Sequence, residues 1–320
     1  MKSLVVSEPG KATWTDIPEP ELQAGEVLVT VEGVTTCPHW DLHVVSGEPM
    51  FADRPFSYPY IPGEPGHEMV GRVMRVASDV ETLDAGQRVA AWRDPGGRRQ
   101  GCYAERVPVL ADHLLAIPDD LPVAGIASLE LAMCVQGSFD DVLRVAPLDG
   151  KRVVIGGLGP AGLIAVQLAQ AYGATQVVGV DPLPQRRAIA EALGCVAVPP
   201  GAPQLAADRL SEEAFDAGID TTGLKVSIEA LMTCVRGPLS IFGVLRETIA
   251  FGPNQWWGGF ALMGYGTHTK AQAHRALDHI TAGHLDLRPL VSTTLPMSAY
   301  LAGVDLLRQK EAVKVLFTVG

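Results

Sequence analysis

Lys151-Arg152-Val153-Val154-Ile155-Gly156-Gly157-Leu158-Gly159-Pro160-Ala161-Gly162 is the stretch that decides how this chain folds. Its first half ends in a β-branched run, the pattern of a buried strand. Its second half, Gly157 to Gly162, is a complete G-x-G-x-x-G. Leu163-Ile164-Ala165-Val166-Gln167-Leu168-Ala169 follows with apolar residues at helical spacing, so the glycines sit where a strand must turn into a helix. At such a turn a pyrophosphate can approach backbone N–H groups at a helix N-terminus, which predicts that Gly157, Gly159, Pro160, Ala161 and Gly162 hold a dinucleotide. The next strand, Gln176-Val177-Val178-Gly179-Val180, ends in Asp181, 19 positions after Gly162, where a carboxylate accepts ribose hydroxyls and repels a 2'-phosphate. NAD is expected over NADP; Arg186 and Arg187 nearby are either solvated helix residues beside the adenine or receivers of that phosphate.

Working outward, Phe215–Asp220, Pro238–Gly243 and Phe260–Gly264 continue an alternation of strands with helices, which implies a parallel sheet wrapped by helices. The first hundred residues read differently. Glu26–Val31 and Met69–Val76 alternate as strands, and the prolines and glycines of Ser57–Gly66 forbid regular structure, so His67 and Glu68 emerge from a stiff loop at the start of a strand. Near the end come a helix at Ala271–Ala282 and a closing strand at Ala312–Phe317.

Cys37, His67, Glu68 and Cys134 offer thiolate, imidazole and carboxylate, the donor types that zinc selects. A catalytic metal with an open position for substrate is the reading that joins them. Cys102, Cys195 and Cys234 read instead as small buried hydrophobes. Trp40 and Trp92 are weaker candidates for lining a pocket.

The chain has 320 residues, enough for two domains, with 47% hydrophobic and 19% charged residues, which places it in the globular class. Its formal charge of −11, with no basic cluster, argues against nucleic acid or an anionic membrane as partner. No apolar run is long enough to cross a bilayer, and charge and Pro break the start too early for a signal peptide, so a cytoplasmic location is expected. Five cysteines, an odd number, suit a reducing compartment.

Pro18-Glu19-Pro20, Gly25–Val29, Cys37, Gly66-His67-Glu68, Gly86-Gln87-Arg88-Val89, Gly101–Glu105, the glycine-rich turn and Asp181 occur in an order that resembles the medium-chain dehydrogenase/reductase family, within it the zinc-dependent alcohol and polyol dehydrogenases. The resemblance implies an α/β fold in which a Rossmann doubly wound parallel sheet, residues 135–267, is inserted into a mostly β, partly open GroES-like barrel formed by residues 1–134 and 268–320. It implies Cys37, His67 and Cys134 as zinc ligands, with Glu68 ligating the metal or beside it. It further implies hydride transfer between an alcohol or polyol and NAD(H), a small alcohol or carbonyl as substrate, and a homodimer or homotetramer.

The chain departs from the family pattern in three places. His39 stands where a hydroxyl residue passes the alcohol proton outward; with one residue inserted, Asp41 matches the acid that holds the ligand histidine and His43 matches the end of the relay. Cys134 lies a residue or two from the expected cysteine, with Glu130 as the nearest substitute. Trp92–Gln100 is short and lacks cysteine, so one catalytic zinc and no structural zinc is expected. Two alternatives stay open: a zinc-free quinone or enoyl reductase of the same superfamily, and a catalytically silent NAD-binding protein.

Overall fold

The computed structural model describes residues 1–51, 53–95 and 99–319, which form two compact units. The first comprises Met1–Leu131 and Leu287–Gly320, the second Ala132–Asp286.

In the first unit a seven-stranded sheet runs in the order Val291–Pro296, Lys314–Thr318, Glu26–Thr35, Glu68–Val76, Arg88–Ala91 and Leu114–Ala116, with Arg106–Leu110 added alongside Glu26–Thr35. The strand Glu26–Thr35 is its spine and changes partner midway. Residues 26–30 pair with Arg106–Leu110, whereas Gly33, Val34 and Thr35 pair with Thr318, Phe317 and Leu316 of the last strand. Simple alternation predicts one wet face for this strand, yet Val27, Leu28 and Val29 are all fully buried because both of its faces are covered. The core beneath it gathers Val29, Val31, Met69, Val73, Tyr103 and Phe317. Thr35 lies opposite Glu68, so the chain leaving one strand at Cys37 and the chain entering the other at His67 are brought side by side.

The second unit holds a six-stranded parallel sheet in the order Val196–Val198, Gln176–Val180, Arg152–Gly156, Ala217–Asp220, Pro238–Ile241, Ala261–Met263. The first strand in sequence lies in the middle, and the order reverses beside it. In open sheets of this kind ligands bind at that switch point. Gly157 there has φ 85°, and a Cβ on Gly162 would stand 1.9 Å from the Gly157 carbonyl oxygen, so the helix Pro160–Ala171 can pack this close only with glycine.

The unit boundary falls at Leu287 rather than at residue 268 as read from the sequence, and at Ala132 rather than residue 135. Helix Lys270–Thr281 explains the longer shift, because its Arg275 pairs with Asp140 and its His279 Nε2 lies 3.3 Å from the Tyr172 hydroxyl, both in the second unit. Among the described residues no helix is long and apolar enough to cross a membrane.

Candidate metal centre and nucleotide loop

Cys37 caps the helix Pro38–Ser46 with extended backbone, and Pro38 starts that helix. Donor atoms of Cys37, His67 and Glu68 all lie within 4.8 Å of one another. Ligands bound to tetrahedral zinc at 2.0–2.3 Å stand about 3.3–3.8 Å apart, so small side-chain shifts would bring these three onto one ion. The electrostatics agree with that fit. Burial pulls the His67 pKa down, but a hydrogen bond to Cys37 and the charges of Cys37, Glu130 and Glu68 overcome it and hold the imidazole well above its usual range. The charges that raise it, those of Cys37, Glu130 and Glu68, give the site a negative potential suited to a cation.

Orientation of His67 comes from its own loop. Nδ1 lies 2.8 Å from the Pro65 carbonyl, which can only accept, so Nδ1 carries the proton and Nε2 is the nitrogen left for a ligand. Nε2 lies 3.9 Å from Glu130 Oε2. Glu68 is fully buried; Thr35 Oγ1 donates to its Oε2 at 3.0 Å, and Lys314 Nζ donates to both its oxygens at 2.6 Å.

Cys134 does not join this group. Its Sγ lies 3.4 Å from His268 Nε2, within the second unit, and the Tyr265 hydroxyl bonds the same nitrogen. Beside His67 stands Glu130, one turn earlier on helix Leu129–Val145. Four residues apart on one face of that helix, Glu130 and Cys134 have their donor atoms within 4.8 Å of one another.

On helix Pro38–Ser46 the residues read as a proton path divide between two faces. His39 and His43 stack with ring centroids 5.2 Å apart, as residues four apart do on a helix, and His43 Nδ1 lies 2.9 Å from the Glu48 carbonyl. Asp41 points into the core, where the Tyr300 hydroxyl donates to Oδ1 at 2.7 Å and the Tyr103 hydroxyl lies 3.1 Å from both oxygens. Burial pushes its pKa up to about 6, against the opposing effects of Tyr300, His67, Tyr103 and Lys314. Asp41 thus does not hold His67 by a hydrogen bond; the Pro65 carbonyl has that place.

Trp40 meets Phe56 edge-on at 6.4 Å, whereas Trp92 is a core residue, 3% exposed, with Nε1 donating to the Asp112 carbonyl. Sequence reading passed over Lys314, Tyr103, Tyr300 and Glu64. Glu64, three residues before His67, is pushed up to about 7 by burial, with Asp94 and Asp41 adding and His67 opposing. Lys314 left a signal, a single charge inside the apolar run Ala312–Phe317.

In the nucleotide loop, Asp181 is 2% exposed at the end of the strand Gln176–Val180. Its Oδ2 accepts from Leu158 N at 2.9 Å and its Oδ1 from Leu183 N at 2.8 Å, so the acid is tied to the glycine-rich turn itself. Arg186 Nη1 lies 3.6 Å from Asp181 Oδ2 and 3.7 Å from where a Cβ on Gly159 would stand, placing a guanidinium over the turn. Arg187 is directed to the Asp181 and Pro182 carbonyls.

Comparison with known proteins agrees with this geometry. Residues 23–119 match the alcohol dehydrogenase GroES-like domain and residues 160–281 the zinc-binding dehydrogenase domain, together more than half the chain. L-threonine 3-dehydrogenase of Anaeromyxobacter is 27% identical across the full length of both chains. The solved 2R,3R-butanediol dehydrogenase of Bacillus subtilis superposes with a TM-score of 0.85 at 22% identity, covering 100% of this chain and 99% of that one. A structure from Sinorhizobium meliloti described as a zinc-binding dehydrogenase bound to NADP has a TM-score of 0.84 at 24% identity, covering 99% and 98%. The chain belongs to the medium-chain dehydrogenase/reductase family, as a zinc-dependent alcohol dehydrogenase that moves a hydride between an alcohol and a nicotinamide cofactor.

Proposed function

We propose that the chain oxidises a small secondary alcohol with a second polar group on the adjoining carbon, using NAD and one zinc held by Cys37 and His67 together with a carboxylate. The observation that carries this reading is the meeting of Cys37, His67 and Glu68 within 4.8 Å, with Glu130 facing His67 Nε2. When bound, zinc supplies a Lewis acid for the alcohol oxygen and the nicotinamide supplies the hydride acceptor. Cys37 Sγ and His67 Nε2 bind and orient, and the Pro65 carbonyl fixes the tautomer that makes Nε2 a donor to metal.

His39 and His43 carry the alcohol proton outward. The Glu48 carbonyl accepts from His43 Nδ1, so Nε2 is the basic nitrogen of that ring. Asp41, with Tyr103 and Tyr300, anchors the helix that presents both histidines. Asp181 favours NAD, because its carboxylate is fixed beside the turn where a 2'-phosphate would meet it. Arg186 is the residue that opposes this preference.

A single metal per chain is supported by the segment Trp92–Gln100, which has no cysteine for a structural zinc; its residues 96–98 lie outside the described ones. The substrate class is supported by relatives named for L-threonine and 2R,3R-butanediol, each a secondary alcohol beside a carbon bearing nitrogen or oxygen. The test is a panel of vicinal diols, polyols, β-hydroxy amino acids and simple secondary alcohols, assayed with NAD and NADP, with and without chelator. Chelator-sensitive oxidation with NAD, faster for the doubly substituted alcohols, is expected. Chelator-resistant reduction of quinones or enones would refute it.

A further inference from the structure

Cys134 and His268, which have no part in the reaction proposed above, belong to a second group of metal donors. Donor atoms of Glu130, Cys134 and His268 all lie within 4.8 Å of one another. Cys134 Sγ and His268 Nε2 are 3.4 Å apart, already the separation of two ligands on one tetrahedral zinc, about 3.3–3.8 Å. Thiolate, imidazole and carboxylate again make the donor mixture of a borderline-soft ion, and three protein ligands leave one position for water.

The elements that carry these side chains hold them in place. Cys134 is a buried residue of helix Leu129–Val145, one turn after Glu130. His268 directly precedes Thr269, the N-cap of helix Lys270–Thr281, whose hydroxyl accepts from Gln272 N while Gln272 Oε1 accepts from Thr269 N at 2.7 Å. That first turn lies against Gly137, where an added Cβ would stand 3.0 Å from Gln272 Nε2. The capping box thus holds the residue before it against the helix that carries Cys134. His268 Nε2 is also contested, since both the Cys134 thiol and the Tyr265 hydroxyl lie against it. A ring nitrogen offers one proton or one lone pair and so serves one of these neighbours at a time. A cation that takes the lone pair and the thiolate together removes that competition. Glu130 is shared with the first group, because its Oε2 also lies 3.9 Å from His67 Nε2.

We propose that Glu130, Cys134 and His268 bind a second divalent ion of the zinc type when the metal is in excess, and that this ion inhibits alcohol oxidation by turning Glu130 from His67. The inhibitory half rests on the metal reading given above; the site itself does not. With a thiolate among its donors the site takes zinc and cadmium and refuses magnesium and calcium.

Cadmium added to the zinc-loaded full-length chain tests the site without turnover. A thiolate charge-transfer absorption should grow to saturation at one equivalent per chain, with the bound zinc retained by elemental analysis. Cys134→Ser should abolish it, His268→Ala should weaken cadmium binding by at least about 10-fold, and Cys37→Ser should keep it. In a kinetic arm, excess zinc should slow oxidation by the unmodified chain. His268→Ala, its basal rate unchanged, should need at least about 10-fold more zinc for the same loss. No absorption in the unmodified chain, or one that survives in Cys134→Ser or vanishes in Cys37→Ser, overturns the site. Where Cys134→Ser does not fold, cadmium binding by His268→Ala decides alone. Inhibition undiminished in His268→Ala overturns the inhibitory role. Oxidation that needs no zinc at all overturns the metal reading, a separate outcome from the cadmium result.

Discussion

His67 donates from Nδ1 to the Pro65 carbonyl 2.8 Å away, and its Nε2 lies 3.9 Å from Glu130. The loop that ends in Gly66 thus sets both the tautomer and the direction of the imidazole before any ion arrives. Cys37, brought alongside by the pairing of Thr35 with Glu68, completes a donor group whose geometry comes from a sheet rather than from flexible loops.

The ligand set can be separated by substitution. Glu130→Gln should weaken zinc by about 10–100-fold, the size of effect found even for groups that only support a ligand, while Cys134→Ser should leave it unchanged. Metal content after dialysis against a graded chelator reads both. Equal loss in the two variants would return Cys134 to the site.

Cofactor choice turns on Asp181. Asp181→Ser removes the carboxylate that accepts ribose hydroxyls and frees Arg186, 3.6 Å away, to meet a 2'-phosphate. The ratio of kcat/KM for NAD to that for NADP should fall or invert, and Asp181→Ser/Arg186→Ala should restore part of it. Tighter binding of NADP than NAD by the unmodified chain would show that Arg186 dominates.

Asp41 predicts a pH dependence of stability. Its folded pKa is raised from 3.8 to about 6, so the folded state binds this proton more tightly than the unfolded chain does. The resulting contribution is fully present below about pH 4 and is lost as pH rises through about 6, a change on the order of 3 kcal/mol. Asp41→Asn keeps an oxygen for the Tyr300 hydroxyl but does not titrate. In chemical unfolding of metal-free protein, the stability difference between variant and parent should shift in favour of the variant from pH 4.5 to 7. A constant difference across that range would contradict the assignment.

The stacked pair His39 and His43 carries a kinetic prediction. His39→Ala or His43→Ala should retain zinc and NAD binding while slowing alcohol oxidation by a factor of about 10²–10⁴, the usual cost of a lost general acid or base. Each substitution should also change the pH profile of the rate, because the imidazoles are the groups read as taking the proton. Full turnover with an unchanged pH profile in both variants would move the proton path elsewhere.

Much of this architecture was legible because the decisive signals are local. A strand, a glycine-rich turn, a helix and Asp181 occupy one continuous stretch, and Gly66-His67-Glu68 carries its own stiff loop. Other features depend on packing across long sequence separations. Glu130 and Cys134 share a helix four residues apart, so periodicity alone does not tell which meets His67. Amphipathic helix Lys270–Thr281 fits either unit until Arg275 and His279 find Asp140 and Tyr172. Asp41 matched a ligand-holding role by spacing, but the hydroxyls that claim it come from Tyr103 and Tyr300, 62 and 259 residues away.

Elemental analysis of the purified chain beside Cys37→Ser tests the central claim most directly. The account predicts about one tightly held zinc per unmodified chain, loss of that zinc in Cys37→Ser, and alcohol oxidation that falls in proportion to the metal lost. Zinc retained in full by a folded Cys37→Ser, or oxidation that persists once the zinc has gone, would contradict it.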